Sequence, residues 1–473
     1  MLRKYHILTL GCQMNKNDSE RIAGLLQSIG YEATENQEEG DLLIINSCSV
    51  RQTAEERVVG IIYNWQKLRA KNPDLIIAVT GCMAGRDKDG KLKHKISGAD
   101  LFFKIDDLPM LPRWLDGLDI NCHSDLPAGR QGESEESISD YLQINPARAN
   151  TNSVFVSIQT GCDNFCTYCV VPYARGRERN RPLGDILGEI KTAVENGAKE
   201  ITLLGQVVNH YTINDKITGC EPAIAKSINN PFSDDFAALL WEINQIPGDF
   251  RIHFTAADPQ YFNDEQIEAL KLPKQVNYLH LPVQSGDNEI LKKMNRKYTR
   301  EQYIETAKKI RVAVPDIALG TDIIVGFCGE TDAQFANTVD LYKQCDFDIS
   351  YHAMYSERTG TTAAKAYQDD VARAVKKQRW QVLQDYMEKR TLEKNQKYLG
   401  QTARVLVDKC IERICSGITD DLKFAQFLGT PDLVGQFVKI KITQPMAWVM
   451  RGELRANNSS QPNPIVHRLQ PPV

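Results

Sequence analysis

The chain has no apolar run long enough to span a bilayer, and its first ten residues, Met1 to Leu10, hold too short an apolar stretch to direct secretion. A cytoplasmic protein with no membrane partner is therefore expected. No internal repeat is visible, so a stack of repeated units is excluded. Neither sign of charge dominates: 57 Lys and Arg stand against 61 Asp and Glu, a formal net charge of −4. That balance leaves nucleic acid open as a partner, because only a local basic face is needed to bind phosphates. The eight histidines show no metal-ligand spacing. Twelve cysteines in 473 residues, with no secretory segment, read as metal ligands and reduced core residues and not as a disulfide framework.

What is present is a compact cysteine triplet. Cys162, Cys166 and Cys169, within Gly161-Cys162-Asp163-Asn164-Phe165-Cys166-Thr167-Tyr168-Cys169, offer three thiolates to one small cluster. The usual electron-transfer cluster takes four cysteines, so a four-iron cluster held by three keeps one iron open for a ligand. A zinc knuckle would need a fourth ligand nearby, and none follows.

A length of 473 residues calls for two or three domains. Over residues 1–121 short apolar runs, Ile7 to Leu10, Leu42 to Ile45 and Leu75 to Val79, alternate with helical patterns, which predicts a doubly wound parallel α/β sheet. Each run is followed within a few residues by a cysteine: Cys12, Cys48 and Cys82. Parallel strands put their carboxyl ends on one edge, where ligands sit, so these three can converge. Gly11 and Gly81, just before Cys12 and Cys82, are expected to let backbone approach a bulky ligand.

Residues 122–150 read as a flexible linker or insertion. Over 151–397 the alternation resumes, with strands at Val154 to Ile158, Ile201 to Leu204, Arg251 to Phe254, Val276 to Leu281, Ile317 to Val325 and Ile349 to Met354. Six βα units predict a partial barrel with the Cys162 loop at its catalytic end. A basic helix from about Val371 to Tyr398 closes that domain, and residues 398–455 hold five short strands, the second at Ile411 to Ser416, which suit a small β-barrel. The tail, 456–473, is rich in Ser, Asn and Pro and is expected to be disordered.

The CxxxCxxC triplet with an aromatic before its last cysteine resembles the signature of radical S-adenosylmethionine enzymes. The resemblance implies that S-adenosylmethionine docks on the open iron and yields a 5'-deoxyadenosyl radical. The two triplets together, with Gly11-Cys12-Gln13-Met14-Asn15, Asn46-Ser47-Cys48-Ser49-Val50-Arg51, Val170-Val171-Pro172-Tyr173-Ala174-Arg175-Gly176 and His280-Leu281-Pro282-Val283-Gln284-Ser285-Gly286, resemble the radical methylthiotransferase family. Within it the branch acting on N6-isopentenyladenosine in tRNA is the most similar, because the branch acting on a ribosomal protein typically has Pro-Lys where Gln13-Met14 stand.

The resemblance implies two [4Fe-4S] clusters, on Cys12, Cys48 and Cys82 and on Cys162, Cys166 and Cys169. It also implies a TRAM-like C-terminal barrel and methylthiolation of carbon 2 of adenosine 37 in the anticodon loop. One S-adenosylmethionine would methylate the sulfur to be transferred and a second would supply the radical. A sulfur source and an electron donor such as flavodoxin or ferredoxin are the further partners implied. Gly205, Gln206, Gln284 and Gly326 match motifs that contact S-adenosylmethionine in that family; Val207, Ala256-Ala257-Asp258 and Cys328 depart from its pattern.

Arg175 to Arg181 and Lys292 to Lys297 are basic stretches suited to tRNA phosphates, and Tyr168, Tyr173 and Tyr298 are candidates to stack bases. His280 is the one histidine expected to face the site. Cys122, Cys220, Cys345, Cys410 and Cys415 have no partner spacing and are expected to be core or surface thiols, and Cys328 is read as structural. Competing readings keep the class but change the substrate, to threonylcarbamoyladenosine in tRNA or a ribosomal protein aspartate, or make the chain a non-catalytic iron–sulfur RNA-binding or electron-carrying protein.

Overall fold

A computed structural model of the chain describes residues 3–48, 52–120, 140–213 and 226–455. The first layer is a parallel sheet of β1 (Lys4–Leu10), β2 (Glu32–Ala33), β3 (Leu42–Ser47), β4 (Ile76–Gly81) and β5 (Leu101–Phe102), in the order β2-β1-β3-β4-β5. Every residue of the central strand β3 is buried. Because side chains alternate along a strand, Leu42 and Ile44 pack with Ile22 and Leu26 of helix α1 (Gln13–Ser28), while Leu43 and Ile45 pack with Val58, Ile62 and Trp65 of α2 (Gln52–Leu68). Helices thus cover both faces, which is why β3 reads as an unbroken apolar run. The short helices α3 (Cys82–Arg86) and α4 (Lys91–Lys95), then α5 (Leu111–Ile120), complete this unit.

The predicted linker needs correcting at its end. Asp140 caps a turn at Tyr141–Gln143, and Tyr141, Leu142 and Ile144 are buried in the core beneath β1 and β3. Three apolar residues in four gain more by burial than a linker loses in freedom. The predicted linker's earlier part, residues 122–139, lies outside the described residues, as do the tail 456–473, Cys122 and Cys220.

The second unit holds β6 (Ser153–Ser157), the ribbon strands β7 (Gln159–Thr160) and β8 (Arg179–Asn180), then β9 (Glu200–Leu204), β10 (Arg251–Phe254), β11 (Tyr278–His280), β12 (Ala318–Val325) and β13 (Ile349–Met354). Parallel sheets β6-β9-β10 and β11-β12-β13 are joined by a bridge between Ile252 and Gln275. Six parallel strands curve into an open barrel, as expected. Between β7 and β8 lie the cysteine loop and helix α6 (Val171–Arg175); α7 (Leu183–Glu195) follows.

After the helix Arg373–Asn395 come β14 (Thr402–Ile411), β15 (Ile414–Thr419), β16 (Phe424–Leu428), β17 (Phe437–Pro445) and β18 (Met450–Leu454), closed in the order β14-β15-β16-β18-β17. The expected strand Ile411 to Ser416 is displaced: the chain turns at Glu412 and Arg413, both with positive φ, and Ile411 pairs with Ile414. Glu-Arg carries none of the Asn-Gly signature of such turns, so the sequence hid it. That register sets Cys410 opposite Cys415, and the two form a disulfide, which corrects the expectation of unpaired thiols there. The small barrel seats on the amino ends of the large barrel's strands, where Asn277 N donates to Asp420 O at 2.8 Å and Arg251 bridges Glu200 and Asp420. Among the described residues no helix is long and apolar enough to cross a membrane.

Candidate functional site

Strand register brings the first triplet together. Leu10 stands beside Ser47, and Ser47 beside Gly81, so Cys12, Cys48 and Cys82 leave three neighbouring strands at one edge. Cys12 caps α1 and Cys82 opens α3. Gly81 has φ +93°, and a Cβ there would collide with the Asn46 side chain and Ser47 backbone; one at Gly11 would collide with Asn15. The glycines therefore make room for the protein's own asparagines. Those asparagines are a satisfied buried pair: Asn15 Nδ2 donates to Asn46 Oδ1 at 3.0 Å, and Cys12 Sγ donates to Asn15 Oδ1 at 3.4 Å. Burial pushes the Cys82 thiol up, and the neighbouring Arg175 guanidinium opposes that shift. Arg175 Nε donates to Cys82 Sγ at 3.3 Å.

The second triplet lies in the loop after β7. Gly161, at φ +76°, starts it, and a Cβ there would collide with the Arg177 carbonyl. Burial raises the Cys162 thiol to about 12, with Cys169 and Cys166 adding to the shift, and the Cys169 thiol to about 11, with Cys166 adding to it. Cys162 and Cys169 would therefore need a strong Lewis acid to release their protons. Arg296 Nη1 donates to Cys166 Sγ at 3.2 Å and Arg296 Nη2 pairs with Asp258 at 3.0 Å. Asp258 also accepts from Asn164 Nδ2 at 2.8 Å, while Asn295 Nδ2 donates to the carbonyls of Asn164 and Phe165. Side chains from two other βα loops therefore fasten the cysteine loop.

A cavity of about 750 Å³ opens beside this loop, lined by Cys162, Cys166, Cys169, Gln206, Asp258, Gln284 and Arg296, and reached by Gln13 from the first triplet's edge. Its size suits a cofactor together with a second ligand. Two wall residues, Ala256 at φ +64° and Gln284 at φ +67°, hold left-handed backbone without being glycine. Such residues cost about 1–3 kcal/mol each and persist where geometry is over-determined.

Among the described residues no three of His, Cys, Asp and Glu converge tightly enough for one metal ion. A four-iron cluster makes a different demand, since each thiolate binds a separate iron around a cluster-sized hollow. Two orphaned atoms fit groups of this kind. Arg175 Nη1, beside Cys82, is a buried donor with no acceptor, and Gln206 Oε1, on the cavity, is a buried acceptor with no donor.

Gln206 and Gln284 line the cavity, whereas Gly205 and Gly326 are not on its wall. A Cβ at Gly205 would press on Gln159, and one at Gly326, φ +68°, would collide with Lys376. His280 lines the cavity, with Nε2 3.2 Å from Asp322 Oδ1 and Nδ1 3.2 Å from Tyr278 OH. His253, which the sequence did not single out, lines it too, and its buried Nε2 has no partner.

The basic stretch from Arg175 is corrected as a phosphate surface. Arg175 is buried on Asp18, Arg179 pairs with Asp106 and Asp140, and Arg181 is buried on Glu189; Arg177 alone of the four is exposed. Arg296 serves Cys166 for the same reason: a guanidinium is worth most where water cannot screen it. Tyr298 is buried with its hydroxyl on the Val283 carbonyl at 2.9 Å, so it is unavailable for stacking. Asp18, Asn164, Asp258 and Asn295 were not foreseen; their partners are distant in sequence, and only the departure at Asp258 hinted at them.

Residues 156–342 match the Radical SAM superfamily, and residues 4–104 match the Uncharacterized protein family UPF0004. A tRNA-2-methylthio-N(6)-dimethylallyladenosine synthase of Thermoanaerobacter sp. (strain X514) is 41% identical over 461 residues, 95% of this chain and 92% of the relative. The chain belongs to this synthase family. A relative of the same description from Clostridium botulinum (strain Langeland / NCTC 10281 / Type F) is 40% identical, over 95% of this chain and 96% of its own. One from Geobacillus thermodenitrificans (strain NG80-2) is 39% identical, over 98% and 85%. Among solved structures the radical S-adenosylmethionine methyltransferase TsrM of Kitasatospora setae is similar in fold, with a TM-score of 0.54 at 13% identity over 77% of this chain and 74% of that one.

Proposed function

We propose that this chain converts N6-isopentenyladenosine at tRNA position 37 into its 2-methylthio derivative. The observation that carries the reading is family membership along nearly the whole length, together with a cavity lined by Cys162, Cys166 and Cys169 and reached by Gln13, the neighbour of Cys12. Cys162, Cys166 and Cys169 would hold one [4Fe-4S] cluster with S-adenosylmethionine on its open iron, and Cys12, Cys48 and Cys82 a second. When bound, these groups supply a radical able to take hydrogen from an unactivated carbon, and the sulfur to be transferred.

The chain's own residues bind, orient and shield. Gln206 Oε1, buried and without a donor, is suited to accept from the amino group of S-adenosylmethionine. Arg296, held by Asp258, offsets thiolate charge at Cys166. Tyr168 and Tyr278 on the cavity wall would help keep water from a reactive carbon. An anticodon loop can splay adenine 37 at modest cost because it is already single-stranded. With Arg175, Arg179 and Arg181 committed internally, the exposed Lys441 on β17, Arg451 on β18 and Arg455 just after it are the cations to meet its phosphates. An electron donor such as flavodoxin or ferredoxin and a sulfur source complete the reaction.

The test is nucleoside mass spectrometry of tRNA after expressing the chain in a host lacking the activity. The 2-methylthio product should appear only on tRNA already carrying the isopentenyl group. A methylthio product on threonylcarbamoyladenosine or on a ribosomal protein, at comparable or greater rate, would refute the substrate assignment.

A further inference from the structure

Arg175 stands where the two triplets meet. It ends α6, six residues after Cys169, yet its side chain crosses into the first unit. There Nε donates to Cys82 Sγ at 3.3 Å and Nη2 to Asp18 Oδ2 at 2.5 Å, both side chains being almost wholly buried. The helix carrying it is pressed against α3, which Cys82 opens: a Cβ at Gly85 would collide with the Ala174 carbonyl. A third donor, Nη1, is buried with no acceptor, and so is Asp18 Oδ1 with no donor. An ion pair that served folding alone would gain nothing from leaving these atoms unsatisfied. The sulfurs of a cluster seated on Cys82 are the acceptors at hand.

We propose that Arg175 is a positioning residue for the cluster on Cys12, Cys48 and Cys82, fixing the Cys82 thiolate against the radical loop and raising that cluster's reduction potential. The inference rests on the two-cluster reading above. A guanidinium cannot shed its charge at any working pH, so it is a permanent cation at one corner of the cluster. Reduction adds one electron to the cluster; a fixed cation and a hydrogen bond to sulfur stabilise the more negative form, most strongly where burial excludes water. Asp18 moderates that charge and sets the guanidinium plane. Arg296 makes the corresponding bond to Cys166 with Asp258 behind it, but from within its own unit. Arg175 differs in making one triplet's electronics depend on the segment that holds the other.

The test uses the full chain with Cys162, Cys166 and Cys169 all replaced by Ala, reconstituted anaerobically so that one cluster remains. Arg175→Lys and Arg175→Gln are added to this background, and iron content, the EPR spectrum of the reduced cluster and its midpoint potential are measured. With roughly four irons retained per chain, the midpoint should fall from the parent to Arg175→Lys and further to Arg175→Gln, with a changed EPR line shape. A full cluster whose midpoint and spectrum are unmoved in both variants would overturn the proposal alone. Absence of iron in the background itself would overturn the two-cluster reading and the proposal with it. Should Arg175→Gln fail to hold iron, Arg175→Lys decides, because a lysine keeps the charge but cannot span both Cys82 and Asp18; an unmoved midpoint there refutes the role.

Discussion

Replacing Glu189 with Gln is expected to loosen the join between the N-terminal sheet and the large barrel. Glu189, on α7, receives Arg21 of α1 at 3.0 Å, Arg181 at 2.8 Å, and Arg148 of the segment between the units. None of the four side chains is more than 13% exposed, so water cannot take over the lost partner. Removing one member of a buried ion pair costs about 3–5 kcal/mol, because the remaining charge stays buried. Glutamine keeps one acceptor oxygen, which places the cost near the lower end, about 3 kcal/mol. Burial alone would raise this carboxyl, but the three guanidiniums outweigh it and hold it below the usual range. Its stabilisation is then complete above the unfolded value of about 4.3 and fades as pH falls through the lower folded value. The lowest thermal transition of Glu189→Gln should lie below that of the parent at pH 7, with the gap narrowing under strong acid. Adding Arg148→Met should recover part of the loss by removing one stranded cation. Equal lowest transitions at pH 7 would refute the argument.

Replacing Cys162, Cys166 and Cys169 with Ala should halve the iron bound on anaerobic reconstitution and abolish 5'-deoxyadenosine formation, as read by iron assay and chromatography; replacing Cys12, Cys48 and Cys82 should spare that cleavage and stop sulfur transfer. Gly161→Ala forces a Cβ onto the Arg177 carbonyl at φ +76°. Overpacking there costs roughly 1–3 kcal/mol, and should show as weakened iron retention at the second triplet with the first unaffected. Lys441→Gln with Arg451→Gln should weaken binding to an anticodon stem-loop and lower the salt slope by about 2; an unchanged slope would remove the small barrel's outer strands from the phosphate contact.

The strands and both triplets were legible because they rest on local pattern: apolar runs mark buried parallel strands, and a parallel sheet must gather its carboxyl ends on one edge. Six barrel strands fall where the alternation placed them. What sequence could not show is what each charge does once buried. Arg175 and its partner Asp18 are 157 residues apart, so a stretch of four arginines reads as a basic face when three of them are internal counter-ions. The same limit hid Arg296 with Asp258. The Cys410–Cys415 disulfide was hidden by a turn whose residues lack the usual signature, since a one-residue error in hairpin register changes which side chains face each other. The docked end of the predicted linker was masked by its polar neighbours, although Tyr141, Leu142 and Ile144 form an apolar triplet of their own.

The segment from Gly161 to Arg175 touches both cysteine triplets, holding one within its loop and reaching Cys82 of the other through its last side chain. The distance between the triplets is therefore set by a short, buried piece of backbone, pinned at Gly161 by the Arg177 carbonyl and at Ala174 by close approach to Gly85. Two reacting groups that must meet within bonding distance gain most from such a frame, because a misplacement of about 1 Å can cost 10²-fold in rate. The connection through residues 140–150 joins the same two units by a different set of contacts, through Arg21, Arg148 and Glu189. Changes in that second join should alter how firmly the units dock, whereas changes in α6 should alter what passes between the triplets. The two kinds of variant are thus separable: one moves a melting transition, the other a cluster's electronic signature.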